Sequence, residues 1–345
     1  MKITKILVAL SFLFAVSTAQ AGEMTVNGSM QATYQSEVDR TTGNPLGMDR
    51  EIKFAGSTEL DNGISMSVMQ DFGDDGAFGN AKITFGNVGG LVDIYVGTDG
   101  SEVDAIDDIT PSAFEEANGS GSGTYSVDVG SGMDGSMSVS YANGDLFGTG
   151  ISLAYNYYPR LDGTTNNEKG ASAVADAKTS SAQSANLGIP LSGLPVIGDT
   201  VLGGMKITAG FNESDSRIQD GQSLRGGTVA AVMPIGPLSV GFQKKAYHPR
   251  GDAALTEAQK VFYKDDVLGI AYAVNDDFAI SYNLYESVKH LHSAGTAVEQ
   301  ETKSINLAYT VGGLTLAFAD AKTDNAAYSA GASDDTRTLS VKTAF

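Results

Sequence analysis

The sequence predicts an all-β fold: a transmembrane antiparallel β-barrel of about sixteen strands with an inward-folded loop. Three observations predict it. The chain closes on a two-faced strand with an aromatic carboxyl terminus. It opens with an export leader and then shows no apolar run long enough for a membrane helix. Between the two ends, period-two alternation recurs along the whole chain.

In the terminal strand, Leu339, Val341, Thr343 and Phe345 alternate with Thr338, Ser340, Lys342 and Ala344. One face suits lipid and the other a wet lumen. Alone, these residues fit the edge strand of a soluble sheet equally well, so the rest of the chain has to decide. At the other end, Lys2 and Lys5 precede an apolar core from Ile6 to Val16 and then Ala19-Gln20-Ala21. This is a secretory signal over residues 1–21 with an A-x-A cleavage site, and the mature chain is expected to begin at Gly22. Its apolar core falls short of the about 20 residues that a spanning helix needs. The sequence has no cysteine, so an exported fold here relies on backbone pairing and packing.

Composition separates the remaining choices. A hydrophobic fraction of 41% with 42 Gly and 8 Pro is too polar for a helical membrane protein. It suits a closed sheet that is dry outside and wet inside. No repeat period or Pro-rich linker divides residues 22–345, so they read as a single barrel domain.

The strands follow in order. Val26 to Tyr34 alternates with Asn27 to Thr33, and Ile52, Phe54 and Gly56 alternate with Glu51, Lys53 and Ser57. Beyond Asp61-Asn62-Gly63 come Ile64, Met66 and Val68, then Ile83 and Phe85, then Val92, Ile94 and Val96. Met137 to Tyr141 and Ile151 to Tyr157 continue the pattern, with a weaker strand near 181–188. Met205 to Phe211, Leu224–Met233 in uncertain phase, Leu238 to Phe242 and Leu268 to Val274 follow. Phe278 to Leu284, Ile305 to Tyr309, Leu314 to Phe318 and the terminal strand bring the count to sixteen. An even count puts both termini on one side.

Connections alternate as well. Short ones such as Asp61-Asn62-Gly63, Val88-Gly89-Gly90 and Val311-Gly312-Gly313 interleave with long polar ones near 35–48, 159–180, 213–221, 247–258, 288–301 and 322–335. The stretch Ile189–Asp199, with Pro190 and Pro195, breaks the rhythm by being long where a short turn is due.

The candidate functional element is the connection 99–134. It carries Glu102, Asp104, Asp107 and Asp108, then Pro111, Phe114, Glu115 and Glu116. A sixteen-stranded barrel leaves an aqueous channel. A loop folded into it would place Asp104, Asp107, Asp108, Glu115 and Glu116 at a constriction, enriching cations and opposing anions. Strand phase points Lys53, Lys82, Lys206 and Lys245 into the lumen as basic wall residues.

These residues carry a resemblance. The chain resembles the Gram-negative general diffusion porins common in Alphaproteobacteria. The likeness is strongest at Ile52 to Gly63, at Ala81 to Gly97 and at the terminal Phe345. Asp108-Ile109-Thr110-Pro111 with Phe114 is similar to the family's constriction-loop motif, although Glu115-Glu116 stands where a glycine pair is usual. Family wall arginines correspond to Lys82 and Lys53, and a further basic position falls near Asp134. The resemblance implies a sixteen-stranded homotrimer in the outer membrane, passive diffusion of small hydrophilic solutes and ions, and Phe345 as the signal read by the outer-membrane assembly machinery.

Removing Lys2 and Lys5 with the leader takes the net charge from −19 to −21. With the acidic loop, that favours cation selectivity. The same charge disfavours nucleic acid as a partner. Asp71, Asp74 and Asp75 resemble a calcium loop only loosely, without the full ligand spacing, so no cofactor is expected. The three histidines, His248, His290 and His292, fall in expected loops. His290 and His292 share one side of an extended segment as a weak metal pair without a third ligand. Nothing assembles a nucleophile and base, so no enzyme is expected. A substrate-specific channel with Tyr95, Tyr158 and Tyr285 as a sugar or peptide track stays open beside general diffusion. So does a non-conducting adhesin or structural barrel.

Overall fold

Alternating side chains leave a strand with one dry and one wet face, and here the strands satisfy both by closing on themselves. A computed structural model describes residues 23–38, 43–73, 78–90, 92–98, 100–114, 129, 133, 136–161, 179–194, 197–216, 221–251, 254–256, 259–292 and 297–345. The expected leader, 1–21, lies outside the described residues. Sixteen strands among these residues form one closed antiparallel barrel in strict sequence order. They are β1 (Glu23–Glu37), β2 (Leu46–Glu59), β3 (Ser65–Phe72), β4 (Phe78–Val88), β5 (Val92–Gly97), β6 (Ser138–Asn143), β7 (Ser152–Tyr158) and β8 (Thr179–Pro190). The second half is β9 (Lys206–Ser216), β10 (Leu224–Ile235), β11 (Leu238–His248), β12 (Val261–Ala273), β13 (Phe278–Leu291), β14 (Val298–Val311), β15 (Leu314–Asp324) and β16 (Ser333–Ala344).

Burial follows the alternation. On β12, Tyr263, Asp265 and Val267 are buried on the inner face, while Tyr272 is exposed on the outer one. On β13, Ser281, Asn283, Tyr285 and Ser287 are buried and Ile280 and Tyr282 are exposed. The outer face of β1 and β2 is a run of exposed apolar side chains, Val26, Met30, Tyr34, Leu46, Met48, Ile52 and Phe54. The inner face is polar and the outer face apolar, the inverse of a soluble core.

Closure is made by β1 and β16. Their register runs from Ser29 opposite Ala344 to Glu37 opposite Thr336. Phe345 finishes the seam: its N–H donates to Gly28 C=O and its C=O accepts from Gly28 N–H, both at 3.0 Å. A Cβ on Gly28 would come within 2.5 Å of the Phe345 ring, so glycine is what lets the terminal aromatic lie against the strand.

Four strands run further than hydrophobic alternation indicates. β11 continues to His248, β12 begins at Val261, β13 continues to Leu291 and β14 begins at Val298, so the connection expected at 247–258 falls at 249–260 and the one expected at 288–301 shortens to 292–297. His248 therefore ends a strand and His290 lies within one, correcting their placement in loops. The reason is chemical. Past the apolar band the outward positions carry ion pairs, Lys244–Asp266 at 2.5 Å, Lys303–Glu301, and Arg337–Asp320 at 2.9 Å. Backbone pairing continues there while the apolar signal stops. The connection between β8 and β9 is long, as its prolines suggested, and is built around two 3-10 turns, Leu191–Gly193 and Val201–Gly204.

Deleting Phe345 removes two backbone hydrogen bonds from the closing seam, at about 1 kcal/mol net each. The expected outcome is a barrel destabilised by about 2 kcal/mol, read as a lower urea midpoint by circular dichroism in detergent. Phe345→Ala keeps both backbone bonds and is expected to lose less.

Candidate functional site

After β5 the chain turns inward, and its backbone no longer has a strand partner. Side chains of the inner wall take that role in sequence order. Gly100 C=O accepts from Asn156 Nδ2 at 3.2 Å and from the Tyr158 hydroxyl at 3.1 Å on β7. Glu102 N–H donates to Ser184 Oγ at 3.0 Å, and its C=O accepts from Asn186 Nδ2 at 2.8 Å on β8. Its carboxylate accepts from the Tyr95 hydroxyl and from Asn186 Nδ2.

A 3-10 turn, Asp104–Ile106, carries the segment past β9 and β10. On β11, Gln243 Nε2 donates to Ile106 C=O at 2.7 Å, and Gln243 Oε1 accepts from Ile109 N–H at 3.4 Å. Pro111 C=O accepts from Asn283 Nδ2 at 2.9 Å, and Ala113 N–H donates to Ser281 Oγ at 2.9 Å, both on β13. Asn306 of β14 reaches Ser112 Oγ at 3.4 Å. The segment 100–113 thus crosses the inside of the wall from β7 to β14. Two glycines make room for it. A Cβ at Gly241 would strike the Pro111 ring, and one at Gly269 would lie 2.5 Å from the Pro111 carbonyl oxygen.

The segment's carboxylates divide into two kinds. Asp104 and Asp108 are exposed. Asp107 is buried and accepts Val129 N–H at 2.7 Å, while Asn212 Nδ2 donates to Val129 C=O. Its geometry is that of an anchor between two parts of the loop. Glu102 is a second buried anchor, and the sequence offered no sign of it beyond its charge. Glu115, Glu116, Asp134, Asp74 and Asp75 lie outside the described residues.

The wall lysines also differ. Lys53 sits 3.2 Å from Glu51 on β2, and Lys82 lies 4.9 Å over the Tyr95 ring. Both belong to strands on the side of the lumen that segment 100–113 leaves uncovered. Lys206 is exposed at the turn end of β9. Lys245 is only 4% exposed and stands directly opposite Asp265 across the β11–β12 ladder. Asp265 in turn accepts the Tyr285 hydroxyl at 2.7 Å and Ser287 Oγ at 2.6 Å. The Lys245 charge is therefore held within the wall rather than presented to the channel.

The tyrosines fare likewise. Tyr158 and Tyr285 are both 0% exposed, and Tyr95 is tied to Glu102 and Asn156. They fix the loop and the wall and offer no continuous track to a passing solute.

A family model described as Gram-negative porin matches residues 7–342. Among solved structures, the fold is similar to in-vitro folded OmpT, an outer membrane protein of Vibrio cholerae in trimer form. That match has 11% identity and a TM-score of 0.65, covering 94% of this chain and 100% of that one. A porin refined at 1.8 Å matches with 13% identity and a TM-score of 0.60, covering 94% and 100%. A variant of the Rh. blastica porin matches with 13% identity and a TM-score of 0.59 over the same shares. No curated protein matches the sequence.

The seat of Pro111 gives a direct test. Gly269→Val places side-chain atoms where the Pro111 backbone now lies, an overpacking cost of about 1–3 kcal/mol. Valine is at home in a strand, so the barrel itself should hold. The expected outcome is faster proteolytic cleavage within 99–134 with unchanged far-ultraviolet circular dichroism.

Proposed function

The chain belongs to the Gram-negative porin family and is an outer-membrane β-barrel channel, and from that premise we propose that it passes small hydrophilic solutes and ions by passive diffusion, with a preference for cations. The carrying observation is the position of Asp104 and Asp108, exposed on a segment that is bonded along the inner wall from β7 to β14. In this reading 99–134 is the constriction loop. On the same reading its exposed carboxylates stand across the lumen from Lys53 and Lys82 on β2 and β4. Carboxylates beside low-dielectric walls raise the local cation concentration and oppose anions.

General diffusion is preferred to a substrate-specific channel because the tyrosines proposed as a track are withdrawn into packing. Family and fold point to a channel rather than an enzyme. The homotrimer is part of the proposal, supported by the family and by the trimer form of Vibrio cholerae OmpT. So are removal of residues 1–21 on export and recognition of Phe345, 64% exposed at the barrel seam, by the outer-membrane assembly machinery.

Single-channel recording in a planar bilayer under a KCl gradient tests this reading. Stepwise ohmic openings with a cation-biased reversal potential are expected. A unit charge 4 Å from the ion's path is worth about 1 kcal/mol in water, or about fivefold in local ion concentration. The double variant Asp104→Asn with Asp108→Asn should therefore move the reversal potential toward zero. Asp107→Asn should instead loosen the loop, with noisier openings as its signature. A folded barrel that shows no conductance sinks the diffusion reading in favour of an adhesin or structural barrel.

A further inference from the structure

At the loop end of the barrel, on its outer surface, the last residue of β11 meets the first residue after β13 above the start of β12. His248 Nε2 and His292 Nε2 stand 3.3 Å apart, with ring centroids at 5.4 Å and planes at 67°. The paired histidines suggested by the sequence, His290 and His292, are not the pair that forms. His290 instead lies flat on Phe262, with centroids 4.5 Å apart and planes at 9°.

From this arrangement we propose that His248 and His292 form a two-imidazole site for a divalent transition metal of the zinc, copper or nickel class. The geometry carries it. With metal–nitrogen bonds of about 2.0–2.1 Å, two ligands at a tetrahedral angle lie about 3.3–3.4 Å apart. The observed separation matches. The tautomer is also fixed. His248 Nδ1 is 2.8 Å from Ser223 C=O, and a carbonyl only accepts, so Nδ1 carries the proton and Nε2 presents its lone pair outward. A backbone carbonyl behind a ligating histidine is the usual device for orienting it and raising its basicity. Without metal, His292 Nε2–H donates to His248 Nε2. On metal binding that proton moves to His292 Nδ1, so neither ring changes charge.

The backbone that holds the rings is tied down. His292 N–H donates to Lys260 C=O at 3.1 Å, and Gly251 N–H donates to Gln222 C=O at 2.9 Å. The Gln222 amide bonds Pro249 C=O at 2.5 Å and both the N–H and C=O of Val261 at 3.0 Å. Ser223, which sets the tautomer, follows directly in the chain. Phe262 closes one side, edge-on to His292 at 6.0 Å.

The donor set selects the metal. The cavity, about 440 Å³, is lined by Gly221, Gln222, Ser223, Arg225, Lys260 and the two histidines. Among the described residues its lining has no carboxylate, and imidazole nitrogen is the recognising chemistry they offer, which favours zinc, copper or nickel over calcium and magnesium. No group of three or more His, Cys, Asp or Glu able to hold a metal gathers among the described residues. The two imidazoles fill two of the four tetrahedral positions. The charged groups facing His248 are Arg225 from β10, Lys260 before β12 and His292 after β13. They oppose the bare dication and favour a small anion, such as hydroxide or phosphate, in an open position. A bound metal would staple the ends of β11 and β13 across β12.

Titrating ZnCl2 into the full-length folded protein in detergent, after stripping with a chelator, tests the site by calorimetry. One zinc per protomer is expected. His248→Ala and His292→Ala should each weaken binding by about tenfold or more, the scale on which metal-site perturbations act. His290→Ala should bind as the parent does. Excess CaCl2 should not compete. Copper(II) in the parent protein should give an electron paramagnetic resonance spectrum with hyperfine structure from two imidazole nitrogens, a readout that needs no variant. Unchanged zinc binding in His248→Ala or His292→Ala, competition by calcium, a copper spectrum without imidazole nitrogen, or no zinc binding by the parent would each overturn the proposal. Folding of every variant is checked by heat-dependent gel migration.

Discussion

Every backbone N–H and C=O that crosses a bilayer must find a partner within the protein, and this requirement governs the rest of the structure. A sheet meets it only by closing, because an open edge strands a row of donors and acceptors in lipid. Closure here falls to the register of β1 against β16 and to the reciprocal bonds of Gly28 with Phe345. Closure by antiparallel neighbours in sequence order with both termini at one end demands an even count, and the strict order of the sixteen strands follows. The two solvents then divide the side chains. Apolar groups go out and polar groups go in, with a period of two.

The same requirement explains how an irregular segment survives inside the barrel. Residues 100–113 have no ladder, so side-chain amides and hydroxyls of the wall replace one. Asn156, Ser184, Asn186, Gln243, Ser281 and Asn283 each bond a backbone group of the segment. Asparagine and glutamine suit this role because one planar amide both donates and accepts, as Gln243 does toward Ile106 and Ile109. Glycine on β11 and β12 supplies clearance where Pro111 comes closest. The wall beneath the loop is therefore shaped by the loop. The exposed positions of Asp104 and Asp108 are consequences of a backbone anchored on either side of them.

Legibility in the sequence tracks the strength of the solvent contrast. Where lipid faces lumen, as in Phe278 to Tyr285, alternation names both the strand and its faces. Where water lies on both sides the signal vanishes although the ladder continues. Val261 to Asp266 pairs with Glu286 to Leu291, yet its outward Lys264 and Asp266 look no different from loop residues. Phase points Lys53, Lys82, Lys206 and Lys245 toward the lumen, but phase has no access to cross-strand partners. Only the register reveals that Lys245 faces Asp265. The acids of 99–134 were visible as charge alone. Telling the anchors Glu102 and Asp107 from the exposed Asp104 and Asp108 requires the wall contacts, because a 3-10 turn of three residues carries no amphipathic pattern. The meeting of His248 with His292 lay further still from view, since 44 residues and an intervening strand separate them.

These distinctions bear on what sets ion preference. A formal charge of −19 suggests a cation channel, but exposed charges act over about 8–10 Å at physiological salt. Asp266, Glu301 and Asp320 lie on the outer face and pair there with Lys244, Lys303 and Arg337. They act on the surroundings of the barrel and are separated from the lumen by its wall. Within the wall, Lys245 and Asp265 offset one another, and Glu51 does the same for Lys53 at close range. On the proposed reading, the field along an ion's path falls to carboxylates that the fold leaves exposed, Asp104 and Asp108 among them. On that reading selectivity is set by where the loop is seated, and the seat is made of neutral amides and hydroxyls. A change in Gln243 or Asn283 would then shift ion preference without touching a charge.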